Sequence, residues 1–175
     1  PQAEWDEHML THVPYRDWCP FCVKGRGRSE AAKRKDESEG KVPQVLMDYA
    51  YFNEEDRENR RVMIVIKDVK SSKVVGMIVA RKGDDPKAIG LVAREIKRLG
   101  HGKMVWKSDQ EPSIVSLKEK VRKELGEGYD VVMEESPVYS HKSNGAMEEA
   151  VGMLKGKIKE MKGALESRYG RKIKE

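Results

Sequence analysis

The pattern of apolar and polar positions after residue 41 predicts three β-strands joined by short turns. Residues 45–47 begin the first strand, which ends near Asp48 or continues through residues 51–52. Residues 62–66 are apolar at every position, as in a strand that is buried on both faces. A hairpin turn at residues 70–73 leads into a third strand. Short turns between successive strands predict an antiparallel meander.

Helical and strand periodicities then alternate along the chain. Asp85 and Pro86 predict the start of a helix, and Gly100 predicts its end. Residues 103–106 predict a fourth strand, and residues 131–133 predict a short fifth strand.

A second helix lies between those two strands, from Pro112 to Gly126. We expect its basic side chains, Lys118 among them, to face the solvent. A long last helix is predicted from about Asn144 to Tyr169. One apolar stripe of that helix predicts packing on the core: Met147, Val151, Leu154, Ile158, Met161 and Leu165.

The element order β-β-β-α-β-α-β-α predicts an α/β fold with a five-stranded mixed sheet and helices on both faces. Asp48 on the first strand and Asp109 after the fourth become neighbours if those strands pair in parallel. Ligands of such sheets gather at the carboxyl ends of strands, where the strand order switches.

Residues 1–28 contain His8, His12, Cys19 and Cys22 in the spacing H-x3-H-x6-C-x2-C. Zinc favours tetrahedral imidazole and thiolate ligands, and a C-x-x-C turn lets two thiolates hold one ion. A redox C-x-x-C usually follows a strand, which we do not expect here, and an accidental cluster is the other alternative. We therefore expect structural zinc, which would stabilise so short a segment.

Composition divides the rest of the chain. Residues 29–41 are rich in Lys, Glu, Ser and Gly and predict a linker, so the main domain spans residues 42–175. Because the chain begins at Pro1, we expect a fragment or a processed product of a longer protein.

Charge and hydropathy narrow the class of protein. Lys and Arg number 35 against 30 Asp and Glu, a net charge of +5 that suits either a polyanion partner or a soluble protein with a basic tail. No apolar run reaches the roughly 20 residues of a membrane span, and no signal-peptide pattern is present. The two cysteines argue against a disulfide scaffold and for either a reducing, intracellular compartment or a metal site.

Three acids stand out by position: Asp48 on the first strand, Asp109 after the fourth, and Glu148 at the start of the last helix. Two Mg²⁺ ions about 3.5–4 Å apart can activate an attacking oxygen and stabilise a leaving one, and they need one bridging carboxylate with others beside it. Asp48 is the expected bridge. Any one of these acids could be an ordinary surface residue, so the hypothesis depends on the three placements together.

Basic and polar residues flank Glu148. Lys155 and Lys159 lie along one side of the last helix and either contact DNA phosphates or form a solvated face. Lys142 and Asn144 precede the acid and are further candidates for DNA contact, with an exposed loop as the alternative.

The element order and the run Ser143-Asn144-Gly145-Ala146-Met147-Glu148 resemble retroviral and LTR-retrotransposon integrases, the copia-like ones above all, which belong to the ribonuclease H-like superfamily. Their signature is two Asp residues and a Glu, often with Asn-Gly-x-x-Glu, and this register selects Glu148 over Glu149. Their cores also follow a His-His-Cys-Cys module. Here the last two acids are 148 − 109 = 39 residues apart, slightly more than is common. Only six residues separate His12 from Cys19, so we expect a reduced zinc knuckle.

The resemblance implies a ribonuclease H-like core and an integrase-like polynucleotidyl transferase that processes DNA 3′ ends and transfers strands. It implies Mg²⁺ or Mn²⁺ at the three acids, structural Zn²⁺ upstream, element ends and target DNA as partners, and a homo-oligomer without membrane contact. It also implies a location in the nucleus or a virus-like particle. One alternative is a ribonuclease H or resolvase-type nuclease with Asp68 as a fourth acid. Another is a non-catalytic nucleic-acid-binding remnant of a transposable element.

Overall fold

The structure is a computed structural model that describes residues 2–25, 41–51, 61–136 and 141–173, with side chains in the last range from Gly145 onward. The chain forms two compact units. One is Glu37–Val151, and the other combines Pro1–Asp36 with Gly152–Glu175. This grouping places the end of the chain with the N-terminal segment, and the division at residues 28 and 41 stays a prediction.

The unit Glu37–Val151 contains a five-stranded mixed sheet in the order β3-β2-β1-β4-β5. Its strands are β1 (Gln44–Tyr51), β2 (Val62–Asp68), β3 (Val74–Val79), β4 (Lys103–Ser108) and β5 (Asp130–Glu135). The first three strands pair antiparallel, whereas β1 pairs with β4 and β4 with β5 in parallel. The predicted meander and the predicted mixed sheet are both confirmed.

Five helices lie in the described part of the chain: α1 (Gln2–Thr11), α2 (Pro20–Lys24), α3 (Pro86–Leu99), α4 (Pro112–Leu125) and α5 (His141–Tyr169). The predicted ends of α3 are confirmed. The Asp85 side chain accepts a hydrogen bond of 3.0 Å from the Lys87 amide, and Gly100 ends the helix in the left-handed region at φ 72°. Among the described residues, no helix combines the length and the apolar character that a membrane span requires.

The two faces of β1 have different neighbours. Val45 and Met47 belong to the core that α3 and α4 cover, together with the fully buried Trp106 of β4. Leu46, Asp48 and Ala50 alternate with them and therefore lie on the opposite face. The first turns of α5 cover that second face, since Lys67, which lies opposite Leu46 on β2, donates a hydrogen bond of 3.2 Å to the Ala146 carbonyl.

Two expectations about helix faces are wrong. Lys118 is only 2% exposed, because its ammonium group reaches the ends of two strands and donates hydrogen bonds to Ser108 Oγ at 3.0 Å and to the Glu134 carbonyl at 3.1 Å. The apolar stripe of α5 is buried at Met147 but exposed at Met161 and Leu165. These two residues lie in the other compact unit, where a different face of the helix is buried.

Candidate metal centres

The sheet register brings the two predicted aspartates to the same level. Parallel pairing of β1 with β4 aligns Gln44 with Val105 and Leu46 with Lys107. Two residues further along each strand, Asp48 lies level with Asp109 just past the end of β4. The condition on which the sequence prediction depended, parallel pairing of these strands, is therefore met.

Backbone amides orient both carboxylates. The Tyr49 amide donates to Asp48 Oδ1 at 2.7 Å, and the Glu111 amide donates to Asp109 Oδ1 at 3.2 Å. The buried Lys118 is linked to Asp109 through Ser108. Lys118 donates a hydrogen bond to the Ser108 hydroxyl, which in turn donates to the Asp109 carbonyl at 2.9 Å. Each acid is thus held by short local contacts, Asp48 within β1 and Asp109 just past the end of β4.

The pKa of Asp48 is raised in the way that is typical of functional carboxylates. Burial raises its pKa most, the negative charge of Asp109 raises it further, and the result is about 6 against an ordinary 3.8. The hydrogen bond from Tyr49 and the positive charge of Lys82 oppose this shift, while Glu111 adds to it. A carboxylate whose ionised form is disfavoured in this way gains from a nearby cation, so the pair Asp48 and Asp109 fits a divalent metal.

A lysine and a glutamate that were not predicted from the sequence lie beside these acids. The Lys82 ammonium donates to both carboxylate oxygens of Glu111, at 2.9 and 2.8 Å, and lies 5.0 Å from the centre of the Tyr49 ring. Ser113 donates to Glu111 as well, at 2.5 Å. Glu111 follows Asp109 by two residues, and this proximity could have indicated it. Lys82 lies in the loop before α3 and carried no signal in the sequence.

The third predicted acid, Glu148, lies exposed in the first turns of α5. Its neighbour Glu149 forms an ion pair of 3.3 Å with Lys67, on the sheet face that also carries Asp48. In the part of the chain that the structure describes, the one group of three or more potential metal ligands is the His and Cys group near the N-terminus. The assignment of Glu148 as the third ligand stays a prediction.

Asp68, the candidate fourth acid, is held by its own turn. Its carboxylate accepts hydrogen bonds from Ser71 Oγ at 2.5 Å and from the Lys70 amide at 3.3 Å, and His101 Nε2 lies 3.1 Å away. It lies opposite Val45, whereas Asp48 lies three residues further along β1. Asp68 therefore serves the β2–β3 turn.

His8, His12, Cys19 and Cys22 form a buried group whose ligand atoms all lie within 4.8 Å of one another. Cys19 Sγ lies 3.4 Å from His12 Nδ1, and Cys22 Sγ lies 3.5 Å from His8 Nε2. A tetrahedral zinc ion with Zn–S near 2.3 Å and Zn–N near 2.0–2.1 Å places such atoms about 3.5 Å apart. The donor types and their spacing therefore fit zinc.

The backbone around these residues explains how they converge. Two histidines four residues apart would share one face of a continuous helix, but α1 ends at Thr11 and His12 follows it in the left-handed region, at φ 55°. Cys19 lies at the N-cap of α2, and Cys22 lies in the first turn of that helix. The N-terminal segment is thus two short helices joined by a loop, with ligands at the facing helix ends.

The environment of the group favours neutral imidazoles. Burial is the main cause that lowers the pKa of His8 and of His12, and the positive charge of Lys157 lowers both further. Burial also raises the pKa of the Cys22 thiol, so metal binding there must displace a proton. The rings are covered by Trp18, centred 4.8 Å from His8, and by Phe21, centred 5.6 Å from His12.

The structure describes the side chains of two of the four residues that were predicted to contact DNA. The side chains of Lys142 and Asn144 lie outside the described residues. Lys155 is partly buried and Lys159 is exposed, both on α5 in the unit that contains α1 and α2. Their role in binding DNA stays a prediction.

No protein-family model matches the sequence, and no curated protein matches it. Among solved structures, the chain is similar to one from the simian T-cell lymphotropic virus intasome in complex with PP2A regulatory subunit B56 gamma, with 19% identity and a TM-score of 0.52. That match covers 78% of this chain and 47% of the viral chain, so this chain matches about half the length of that protein.

Two retroviral integrase catalytic core domains are also similar to the chain. The BIV integrase core has 16% identity and a TM-score of 0.44, and the match covers 72% of each chain. The HTLV-2 integrase core in complex with magnesium, in a trimeric form, has 12% identity and a TM-score of 0.45, over 73% of this chain and 86% of that one. At 19% identity, the match to the simian virus intasome structure, with its TM-score of 0.52, shows a similar fold and no more.

Proposed function

We propose that the chain is an integrase-like polynucleotidyl transferase that processes DNA 3′ ends and transfers strands with Mg²⁺ or Mn²⁺. The single observation that carries this proposal is the level placement of Asp48 and Asp109 on paired parallel strands, with the pKa of Asp48 raised to about 6. The integrase-like fold supports the same reading.

Asp48, Asp109 and Glu148 would hold the divalent ions, with Asp48 as the bridge. When bound, such ions activate an attacking oxygen and stabilise a leaving one during phosphodiester exchange. The chain's own contribution is orientation, because the amides of Tyr49 and Glu111 fix one oxygen of each aspartate. The partly buried setting of Asp48 also makes its ionised form depend on a neighbouring cation.

Further parts of the proposal concern the partners. Element ends and target DNA are the proposed substrates, and the net charge of +5 supports a polyanion partner. Lys142, Asn144, Lys155 and Lys159 are the proposed DNA contacts. The resemblance to integrases further leads us to propose a homo-oligomer and a location in the nucleus or a virus-like particle.

Zn²⁺ at His8, His12, Cys19 and Cys22 is proposed as a structural ion. Four protein ligands complete a tetrahedral site, so no position remains for substrate or water. The ion would add folding free energy to two helices that are short by themselves, of 10 and 5 residues.

A non-catalytic nucleic-acid-binding remnant is the second candidate. The observation that favours it is the exposed position of Glu148, which does not form a ligand group with the aspartates in the described residues. A ribonuclease H or resolvase-type nuclease is less favoured, because the carboxylate of Asp68 is held by Ser71 and His101.

The test is cleavage and joining of an end-labelled duplex with defined ends, with Mg²⁺ or Mn²⁺ and with neither. We expect metal-dependent nicking and strand transfer by the wild type, and none by Asp48→Asn or Asp109→Asn. Asp130→Asn is the matched control, since that acid is exposed on β5 and pairs with Lys103 at 3.0 Å. An active Asp48→Asn variant would overturn the proposal.

The same assay separates the rival functions. DNA binding without nicking at any metal concentration supports the remnant. Cleavage of the RNA strand of an RNA–DNA hybrid, without strand transfer, supports the nuclease.

A further inference from the structure

We propose that Lys157 and Glu160 of α5 position His12 for zinc, so that metal loading and docking of this part of the last helix onto residues 2–25 are one event. The inference rests on the zinc site of the proposed function and does not depend on any activity toward DNA. It concerns only the compact unit formed by Pro1–Asp36 and Gly152–Glu175.

Lys157 links the helix to a metal-ligand residue. Its ammonium group donates a hydrogen bond to the carbonyl oxygen of His12, 145 residues earlier in the chain. The same ammonium donates to Glu160 Oε2 at 2.7 Å, one turn further along α5. The lysine is therefore held between a backbone acceptor of the zinc segment and a carboxylate of its own helix.

Glu160 is buried to an extent that is unusual for a glutamate. It is 2% exposed, and a buried carboxylate needs a charged partner or a full set of hydrogen bonds. Lys157 supplies that partner and is itself committed to His12. The burial of Glu160 is thus explained by the contact that Lys157 makes with the zinc segment.

His12 is the ligand that most needs such support. Its backbone is in the left-handed region, at φ 55°, immediately after α1 ends. Few residues with a side chain adopt that conformation without help from their surroundings. A hydrogen bond to the His12 carbonyl restrains the peptide that follows the ring, and this restrains the direction of Nδ1 toward Cys19 Sγ.

The helix lies against the zinc segment without space for larger residues. A Cβ atom added to Gly156 would lie 2.8 Å from the carbonyl oxygen of Gly25, and one added to Gly25 would lie 2.9 Å from the carbonyl oxygen of Gly156. Gly163 faces Phe21, whose ring covers His12. Positions 156, 160 and 163 share one side of a helix, so this side of α5 packs closely against residues 2–25.

The first experiment compares Lys157→Met with Lys159→Met, a control on the same helix whose lysine is exposed. Zinc affinity is measured by competition with a chromophoric chelator, on the full chain. Loss of a group that orients a metal ligand typically costs 10–100-fold in affinity, so we expect about that loss for Lys157→Met and wild-type affinity for Lys159→Met. Equal affinities of the two variants would overturn the inference.

The second experiment separates positioning of His12 from a general loss of structure. Co²⁺ is loaded in place of zinc, because its visible absorption reports the geometry of the ligand set. We expect Lys157→Met to alter the Co²⁺ spectrum, and the double variant Lys157→Met/Glu160→Leu, which leaves no unpaired buried charge, to keep the altered spectrum. A wild-type spectrum in the double variant would contradict a positioning role.

Hydrogen exchange tests the link between metal and helix. Zinc should slow amide exchange in residues 152–169 of the wild type as well as in residues 2–25, and Lys157→Met should remove the effect on the helix. Protection confined to residues 2–25 of the wild type would refute the coupling. A wild type that binds no zinc would instead refute the zinc site itself, and the nicking assay would still decide the catalytic proposal.

Discussion

Replacing Asp48 by Asn should make the protein more stable at neutral pH, although it removes the central acid of the proposed active site. The pKa of Asp48 is about 6 in the folded chain against an ordinary 3.8, through burial and then through the charge of Asp109. At about 1.4 kcal/mol per unit of pKa, the ionised carboxylate costs the folded state up to about 3 kcal/mol. Because Asp48 is only partly buried, we expect a measured gain of about 1.5–3 kcal/mol.

The pH dependence follows from the direction of the shift. A raised carboxyl pKa means that the folded chain holds the proton more tightly than the unfolded chain does. The wild type therefore loses stability as the pH rises from about 4 to about 6, and the cost is complete above that range. Asp48→Asn has no such group, so its advantage over the wild type should be near zero at pH 4 and constant above pH 7.

Urea unfolding at pH 4.5, 6 and 7.5 measures this difference. Trp106 is fully buried in β4 and reports on the sheet, and Trp5→Phe with Trp18→Phe removes the other two tryptophans. Asp130→Asn serves as the control, with an expected change within about 0.5 kcal/mol. Saturating Mg²⁺ should stabilise the wild type alone and reduce the difference. An Asp48→Asn variant no more stable than the wild type at pH 7.5 would refute the electrostatic account.

Two further predictions concern buried groups outside the aspartate pair. Burial lowers the pKa of Lys118 to about 8 from 10.5, so the folded chain releases this proton at a lower pH than the unfolded chain does. The free energy of unfolding of the wild type should therefore rise by up to about 3 kcal/mol between pH 8 and pH 10.5. Denaturant titrations measure this rise, which Lys118→Met should lack. Gly156→Ala should lower the melting temperature of the zinc-loaded unit, because its Cβ meets the Gly25 carbonyl. Gly152→Ala, which has open space around it, should instead stabilise the helix by up to about 1 kcal/mol; equal melting temperatures of the two variants would count against the tight contact.

The sheet and its helices were predictable because local signals mark their ends. Asp85, Pro86 and Gly100 delimit α3 through capping geometry, which depends only on neighbouring residues. The alternation along β1 likewise determines which face carries Asp48. The grouping of the two histidines with the two cysteines was predictable from residue type and spacing, although the left-handed backbone at His12 was not.

The remaining features depend on contacts between residues far apart in the chain. Helical periodicity assigned Lys118 to the solvent because it cannot show that two strand ends, 10 and 16 residues away, supply acceptors for the ammonium group. The contacts of Lys157 and Glu160 were not predictable for the same reason. The contact between Lys157 and His12 joins residues that are 145 positions apart, and such a contact produces no periodic pattern in the sequence.

The third acid is where the sequence and the structure give different information. The Asn-Gly-x-x-Glu register selects Glu148, by resemblance to integrases. In the structure Glu148 is exposed, and it is Glu149 that contacts Lys67 on the sheet face of Asp48. The two residues are adjacent and of one type, so each is the matched control for the other.

The most direct test of the proposed function is therefore Mg²⁺-dependent strand transfer by Glu148→Gln and by Glu149→Gln, on the same end-labelled duplex. The integrase-like mechanism predicts that Glu148→Gln falls to the level of Asp48→Asn, whereas Glu149→Gln keeps activity close to that of the wild type. Wild-type strand transfer by Glu148→Gln would contradict the assignment of Asp48, Asp109 and Glu148 as the catalytic acids.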